Sequence, residues 1–185
     1  MSGDAETSSL NTPEAWSKRA TLASPLEVVM WSAEGQRERF DAIYEAVNLR
    51  PGECILDFGC GTGAFSDAFP TDQYRGYDWS FPMVERARRE HPYHEFVSTL
   101  SWQHFDAIVC VGTFNLPGSY AETWQTLNSL WTRTDRVLAV SLYYGDDENC
   151  LSYDEYDCCD FAKNRASRWR IEKHRHNDLL LVMWK

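Results

Sequence analysis

Residues 54–64 have the sequence CILDFGCGTGA. The apolar residues at the start predict a short buried strand, which ends at an acidic residue, Asp57. Glycines follow at every second position, at 59, 61 and 63. A turn without Cβ atoms lets a ligand lie against the backbone, and a helix that begins after it presents free N–H groups to that ligand. The segment therefore predicts a strand, a ligand-binding turn and a helix.

The rest of the chain alternates short apolar runs with segments of helical periodicity. Further strands are predicted at 73–77, 95–97, 105–111, 136–144, 169–175 and 179–184. Helices are predicted at 13–30, with a break at Ser24-Pro25, at 36–48 and 64–69, after caps at Ser80 and Ser119, and at 153–165. This alternation predicts a mostly parallel sheet between two helical layers, a three-layer α/β sandwich. The turn at 176–178 is too short for a parallel return, so the last two strands form an antiparallel hairpin.

Length and composition predict one globular domain. The chain has 185 residues, 43% of them hydrophobic and 14% aromatic, which excludes an intrinsically disordered chain. Small, polar and acidic residues at 1–12 predict a frayed tail. We expect a single domain at 13–185, in which helices at 13–50 precede an α/β core at 51–185.

Charge and cysteine content limit the possible partners. A net charge of −10 argues against a protein that binds DNA or RNA through phosphate contacts alone, and Arg86, Arg88 and Arg89 are interpreted as a solvated helix face. The six cysteines form no Cys-x-x-Cys pair, so we expect buried thiols in a reducing compartment and no metal site. No signal peptide or apolar span long enough for a membrane is evident, so a soluble cytoplasmic protein is expected.

Three motifs resemble class I S-adenosylmethionine (SAM) methyltransferases. The spacing Asp-x-Gly-x-Gly-x-Gly at 57–63 is similar to their cofactor loop, and the sequence GYDWSFPM at 76–83 is similar to their Gly-x-Asp-x-Ser-x-x-Met pattern. The Gln36-x-x-Arg39-Phe40 motif resembles the segment before the core in some small bacterial and phage methyltransferases. The resemblance implies a seven-stranded sheet of order 3-2-1-4-5-7-6, SAM as cofactor and S-adenosylhomocysteine (SAH) as product.

A nicotinamide or flavin dinucleotide site is the rival interpretation. Gly59-x-Gly61-x-x-Ala64 also satisfies the dinucleotide fingerprint, and an acid near Asp78 serves the ribose in both classes. The acid at Asp57, the second motif and the C-terminal hairpin favour SAM.

The resemblance also implies roles for individual residues. The three glycines with Cys60 form the cofactor loop, Asp57 reaches the aminoacyl end of SAM, and Asp78 accepts the ribose hydroxyls. Trp79 either lies against the adenine or packs in the core, and Arg39 either binds the cofactor carboxylate or faces solvent. The remaining expected cofactor contacts are Ser80, Met83, Leu100, Ser101, Val111 and Gly112. The acid that the family commonly keeps near residues 98–101 is missing here, which leaves the adenine to Leu100, Ser101 and backbone groups.

The methyl acceptor is expected outside the carboxyl ends of the strands. This rule selects residues 111–117, 143–146 and 174–178. From these, Asn115 and Tyr144 are predicted to position the acceptor, and His176, or else His174, is predicted to act as a base. A solvated turn histidine and a core tyrosine are the alternatives. The Asn/Asp-Pro-Pro-Tyr/Phe motif of amino-group base methylases is missing after the fourth strand. A small-molecule acceptor is therefore predicted, while an RNA or protein methyltransferase and a non-catalytic SAM-binding module stay open.

Overall fold

The computed structural model describes residues 12–24, 26–27, 31–101, 103–116 and 119–185. Of the tail predicted at 1–12, residues 1–11 lie outside this part, and Thr12 caps the first helix by accepting a hydrogen bond from the Ala15 N–H. The helices are α1 (Pro13–Arg19), α2 (Ala33–Val47), a 3₁₀ helix (Ala64–Ala68), α3 (Phe81–Glu90), α4 (Tyr120–Thr132) and α5 (Glu155–Lys163). The strands are β1 (Ile55–Phe58), β2 (Tyr74–Tyr77), β3 (Glu95–Val97), β4 (Phe105–Val111), β5 (Thr134–Tyr143), β6 (Arg168–His174) and β7 (Asp178–Trp184).

The strands form one seven-stranded sheet of order β3-β2-β1-β4-β5-β7-β6, as predicted. β1 to β5 are parallel, with Ile55 opposite Tyr74 on one side and Ala107 on the other. β7 runs antiparallel to both β5 and β6, so the closing hairpin is also confirmed. The carboxyl ends of β1, β2, β4 and β5 consequently meet at one edge of the sheet.

Apolar side chains cover both faces of the sheet, because alternate residues of a strand point to opposite faces. On one face, Ile55 and Val137 pack with Ile43 of α2. On the other face, Leu56 and Leu138 pack with residues of α4 and α5. Strands buried on both sides explain the continuous apolar runs of the sequence.

Two predicted helices differ from the structure, one in its type and the other in its N-terminal cap. The helix predicted at 64–69 is a 3₁₀ helix of five residues, because it has to fit between Gly63, with a φ of 82°, and Pro70. Such a short helix offers few free N–H groups to a ligand. Ser80 is the N-cap of α3 without a side-chain capping bond, since Pro82 has no N–H and the Met83 N–H bonds to the Ser80 carbonyl. The Ser119 hydroxyl accepts a capping hydrogen bond from the Glu122 N–H, as predicted.

The expected solvated arginine face of α3 is wrong for Arg86, whereas Arg88 and Arg89 are exposed as expected. Arg86 is only 5% exposed, and its guanidinium binds backbone carbonyls of the segment that follows α1. Arg88 donates twice to the Phe96 carbonyl, so Arg89 alone of the three lacks such an anchor among the described residues. Within the described ranges, no helix has the length and apolar character needed to cross a membrane.

Candidate active site

A cavity of about 490 Å³ opens at the carboxyl ends of β1, β2, β4 and β5. Its floor consists of the residues where these strands end, from Phe58 to Gly61, from Tyr77 to Trp79, and from Val111 to Thr113. Cavities of this size commonly hold small ligands. The fold therefore places a mostly apolar cavity where the sequence predicts ligand binding.

The glycine loop after β1 is fastened to β2 by backbone hydrogen bonds. The N–H groups of Gly59 and Cys60 both donate to the Tyr77 carbonyl, at 2.7 and 2.9 Å. Gly59 has a φ of 82°, and a Cβ atom there would overlap the side chain of Thr113. A glycine is thus required at 59 both for the turn and for the approach of the β4 end.

Asp78 is held at the cavity by two backbone N–H groups. Oδ2 accepts from Gly61 at 2.9 Å, and Oδ1 accepts from Ser80 at 2.8 Å. Burial raises the pKa of Asp78, and these two hydrogen bonds oppose the shift. An ionised carboxylate has about four acceptor positions, so two remain for a ligand. Trp79, 45% exposed, lies beside it in the lining.

Asp57 is a buried carboxyl group behind the glycine loop. Oδ2 accepts a hydrogen bond from the Tyr74 hydroxyl at 2.6 Å, while Oδ1 has no partner among the described residues. Burial raises the pKa of Asp57 to about 7, the Tyr74 hydrogen bond lowers it, and the charge of Asp78 raises it further. The side chain borders a small cleft between Trp31 and the glycine loop. A cationic group in that cleft would satisfy the free oxygen.

Trp31 and Arg39 form one wall of the cavity from the α2 side. A Cβ atom on Gly112, whose φ is 69°, would overlap the Trp31 indole, so the ring lies directly on the backbone at the end of β4. The Arg39 guanidinium lies 4.6 Å from the centroid of that ring and 2.6 Å from Oδ2 of Asp178. Arg39 is therefore fixed by an ion pair and a stacking contact and does not face solvent.

Asn115 joins the two loops at the other end of the cavity. Its Oδ1 accepts from the Tyr143 N–H at 2.9 Å, and its backbone carbonyl accepts from the Leu151 N–H at 2.9 Å. The side-chain NH₂ group is thus the part of Asn115 left for a ligand. The Tyr143 hydroxyl accepts from the Asp147 N–H, which fixes the neighbouring lining residue.

His176 reaches the cavity from the turn between β6 and β7. Its φ is 61°, and the next residue, Asn177, also has a left-handed backbone with a φ of 58°. Such a conformation is uncommon for a residue with a side chain and is found more often at functional sites. Nε2 lies 3.5 Å from a carboxylate oxygen of Glu38. The turn therefore presents an imidazole to the cavity with an acidic partner behind it.

A family model described as a methyltransferase domain matches residues 31–179. This is well over half of the chain. The chain belongs to that methyltransferase family. Among curated proteins, none matches this chain.

Solved structures show the same fold at low sequence identity. N-methyltransferase NodS from Bradyrhizobium japonicum WM9, in complex with S-adenosyl-l-homocysteine, has a TM-score of 0.73 at 12% identity, covering 94% of this chain and 97% of its own. Magnesium protoporphyrin IX methyltransferase from Synechocystis PCC 6803, with bound SAH, has a TM-score of 0.71 at 15% identity and 99% coverage of both chains. CalS10 from Micromonospora echinaspora, an amino pentose methyltransferase with bound SAM, has a TM-score of 0.62 at 16% identity, covering 82% of this chain and 91% of its own.

The protein is a SAM-dependent methyltransferase of class I fold, and the residues of the cavity fit that cofactor. The free oxygen of Asp57 matches the ammonium group of SAM, and the open acceptor positions of Asp78 match the two ribose hydroxyls. The exposed face of Trp79 can cover a purine ring. The chain thus supplies complementary groups for the ammonium group and the ribose of the cofactor.

Nine predicted site residues come together in the cavity lining: Arg39, Gly59, Gly61, Asp78, Trp79, Val111, Gly112, Asn115 and His176. Two more, Asp57 and Cys60, border the adjoining cleft. Their binding roles remain predictions.

The other predicted residues lie away from the cavity. A Cβ atom on Gly63 would meet the Phe96 ring, so this glycine serves packing. Met83 is buried against Ala20, and Leu100 packs on the core of the other sheet face. Ser101 is exposed and donates to Gln103. Ser80 contributes its N–H to Asp78, which supports the site indirectly.

Tyr144 was predicted to position the acceptor, but the structure places Tyr143 in the lining instead. Tyr144 packs on the core of the other face, with the Lys173 ammonium 5.2 Å from its ring. The alternation of side chains along β5 could have indicated Tyr143, because Val137 and Ala139 lie on the same face of the strand as Tyr143. Trp16 and Trp31 were also missed as lining residues, and nothing in their local sequence indicates that role.

Proposed function

We propose that this methyltransferase acts on a nitrogen or oxygen atom of a small molecule, bound between Asn115, Tyr143 and His176. The observation that carries the proposal is one continuous cavity that extends from Asp78 to His176 and is walled by Trp16 and Trp31. When bound, SAM supplies an electrophilic methyl group on a positively charged sulfur. The protein then has to align the acceptor and exclude water.

The acceptor end of the cavity offers a hydrogen-bond donor and a base. Asn115, whose oxygen is held by the Tyr143 N–H, can donate its NH₂ group to an acceptor oxygen or nitrogen. His176 can accept the proton that an amine or hydroxyl group loses on methylation. The position of the imidazole in the cavity lining supports a role beyond solvation.

The charge around the cavity favours a small acceptor over RNA. Asp146, Asp147 and Glu148 are exposed in the loop after β5, and Asp147 also lines the cavity. Arg39, which lines the opposite wall, is already paired with Asp178. A phosphate backbone would therefore meet carboxylates at this loop.

Methyl transfer into fractionated cell extract tests the proposal. The purified protein is incubated with methyl-labelled SAM, and the label is then followed in small-molecule, RNA and protein fractions. We expect label in the small-molecule fraction, and its loss with Asp78→Asn but not with Asp72→Asn, an exposed aspartate. Label in RNA or protein would overturn the acceptor class. Tight SAH binding without any labelled product would instead favour the non-catalytic module.

Substitution of His176 tests the base. If His176 removes a proton during transfer, His176→Ala should lower kcat by roughly 10²- to 10⁴-fold and leave SAH affinity unchanged. His174→Ala is the matched control, because His174 is two residues away and does not line the cavity. Equal kcat values for the two variants would show that His176 is a solvated residue of the turn and not the base.

A further inference from the structure

The helix α1 contributes to the cavity from outside the residues that the family model matches. The family model begins at residue 31, whereas Trp16 of α1 lines the cavity. Trp16 packs against Ala20 and Met83, and Met83 lies in the first turn of α3, shortly after Asp78. Trp16 is therefore placed at the end of the cavity near Asp78, the carboxylate that is predicted to bind the ribose.

Arg86 connects α3 to the segment that follows α1. Its Nη1 donates to the carbonyls of Ala20 and Leu22, at 3.2 and 2.5 Å, and its Nη2 donates to the carbonyl of Ala23 at 3.4 Å. Nε is held by Glu90 at 2.7 Å. The guanidinium is thus oriented by Glu90 of its own helix, and its remaining N–H groups donate to the carbonyls of one short segment of main chain.

Arg86 and Met83 are three residues apart on α3, so both face α1. Arg86 anchors the backbone after α1. Met83 packs in one apolar cluster with Ala20 and Trp16. Among the described residues on the α1 side of this contact, Ala20 alone has a buried side chain, and no residue of α1 itself is buried. The hydrogen bonds from Arg86 therefore hold the segment directly after a helix that has no buried residue of its own.

We propose that Arg86 is a latch that keeps α1 closed over the cofactor, with Trp16 as the part that contacts it. The bound cofactor then lies between the Asp78 loop and the Trp16 indole, and it leaves when the carbonyls of residues 20–23 separate from Arg86. This inference rests on the assignment of SAM as cofactor and adds a control of residence time by residues before the segment that the family model matches.

SAH dissociation, measured by stopped-flow with the purified protein, tests the latch. If loss of the latch leaves α1 closed one tenth of the time, Trp16→Ala and Arg86→Ala each weaken SAH binding and accelerate its release about tenfold. Arg89→Ala removes the same charge from an exposed position on the same helix and should leave both quantities unchanged.

Limited trypsin digestion gives a second readout that requires no ligand. Lys18 and Arg19 end α1, and cleavage there should be several times faster in Arg86→Ala than in Arg89→Ala. Arg86→Lys keeps the charge without the guanidinium fork and replaces Arg86→Ala should that variant not fold. Unchanged SAH release together with unchanged cleavage would overturn the latch. Failure of the wild-type protein to bind SAH would instead overturn the cofactor site.

Discussion

Asp57 gives the apo protein a pH dependence that can be measured. Its pKa in the folded protein is raised to about 7, because the carboxyl group is buried, so the fold favours the protonated form. A raised pKa contributes stability that is fully present below the unfolded value, near 4, and is lost as pH rises through about 7. We expect urea unfolding to show that wild type loses stability relative to Asp57→Asn between about pH 4 and pH 7.

The asparagine keeps an oxygen that can accept the Tyr74 hydrogen bond, so the comparison isolates the charge. Asp41→Asn, at an exposed position of α2, serves as the control and should show no such trend. Parallel stability curves for wild type and Asp57→Asn over this range would contradict the predicted cost of the buried charge.

Asp78 should control cofactor affinity through two charge-assisted hydrogen bonds. Replacing it with asparagine removes the charge and one acceptor oxygen, which should weaken SAH binding by roughly 10- to 100-fold. Isothermal titration calorimetry of Asp78→Asn, with Asp72→Asn as the exposed control, measures the change. Because Gly61 donates to the same carboxylate, part of the loss reflects a looser glycine loop. Unchanged SAH affinity would remove Asp78 from the ribose site.

At the level of elements, the end of β4 contacts the segment before α2 at Gly112, where the Trp31 ring lies against the backbone. A side chain at 112 would be strained by the φ of 69° and would also collide with Trp31. Gly52 offers a matched comparison, because its φ is 83° but nothing lies within 4 Å of an added Cβ atom. Gly52→Ala therefore measures the backbone strain alone, of about 1 kcal/mol.

Gly112→Ala should cost more than Gly52→Ala in free energy of unfolding, and it should also weaken SAH binding, because Trp31 has to move. Urea denaturation and calorimetry of the two variants give both quantities. Equal destabilisation by the two substitutions would contradict this expectation, because it would show that the Trp31 ring can move away from residue 112 without loss of stability.

The strands and their order were predictable because the signals are local. Apolar runs such as 105–111 mark buried strands, and the short turn near 176 allows only a hairpin. The end of β5 was less certain, because placing it at Tyr144 instead of Tyr143 exchanges the faces of the sheet. This single-residue difference explains why the sequence led to Tyr144 although Tyr143 lines the cavity.

The glycine loop and Asp78 were predictable because the backbone requirements of the turn restrict the sequence itself. The walls of the cavity were not, since they come from contacts between distant segments. Trp31 meets Gly112, and Arg86 meets residues 20–23, across more than sixty positions. Neither pair leaves a periodic or compositional trace, which is why Arg86 was interpreted as solvated.

For the whole molecule, net charge distinguishes the cofactor from its product. The chain carries a formal charge of −10, and Asp78 and Asp147 line the cavity. SAM carries a net positive charge because of its sulfonium, whereas SAH is a neutral zwitterion. The field of the protein therefore attracts the incoming cofactor and exerts no such attraction on the product. Charge loss on methyl transfer thus favours exchange of product for cofactor.

Salt screens this field, since the Debye length falls from about 30 Å at 0.01 M to about 3 Å at 1 M. Raising the salt concentration over this range should weaken SAM binding roughly three- to tenfold more than SAH binding. Calorimetric titrations of both compounds at several salt concentrations provide the comparison, and a charge-reducing variant at the loop after β5, Glu148→Gln, should lessen the difference. An identical salt response for SAM and SAH would mean that the cavity recognises the cofactor through short-range contacts alone, without help from the acidic surface of the molecule.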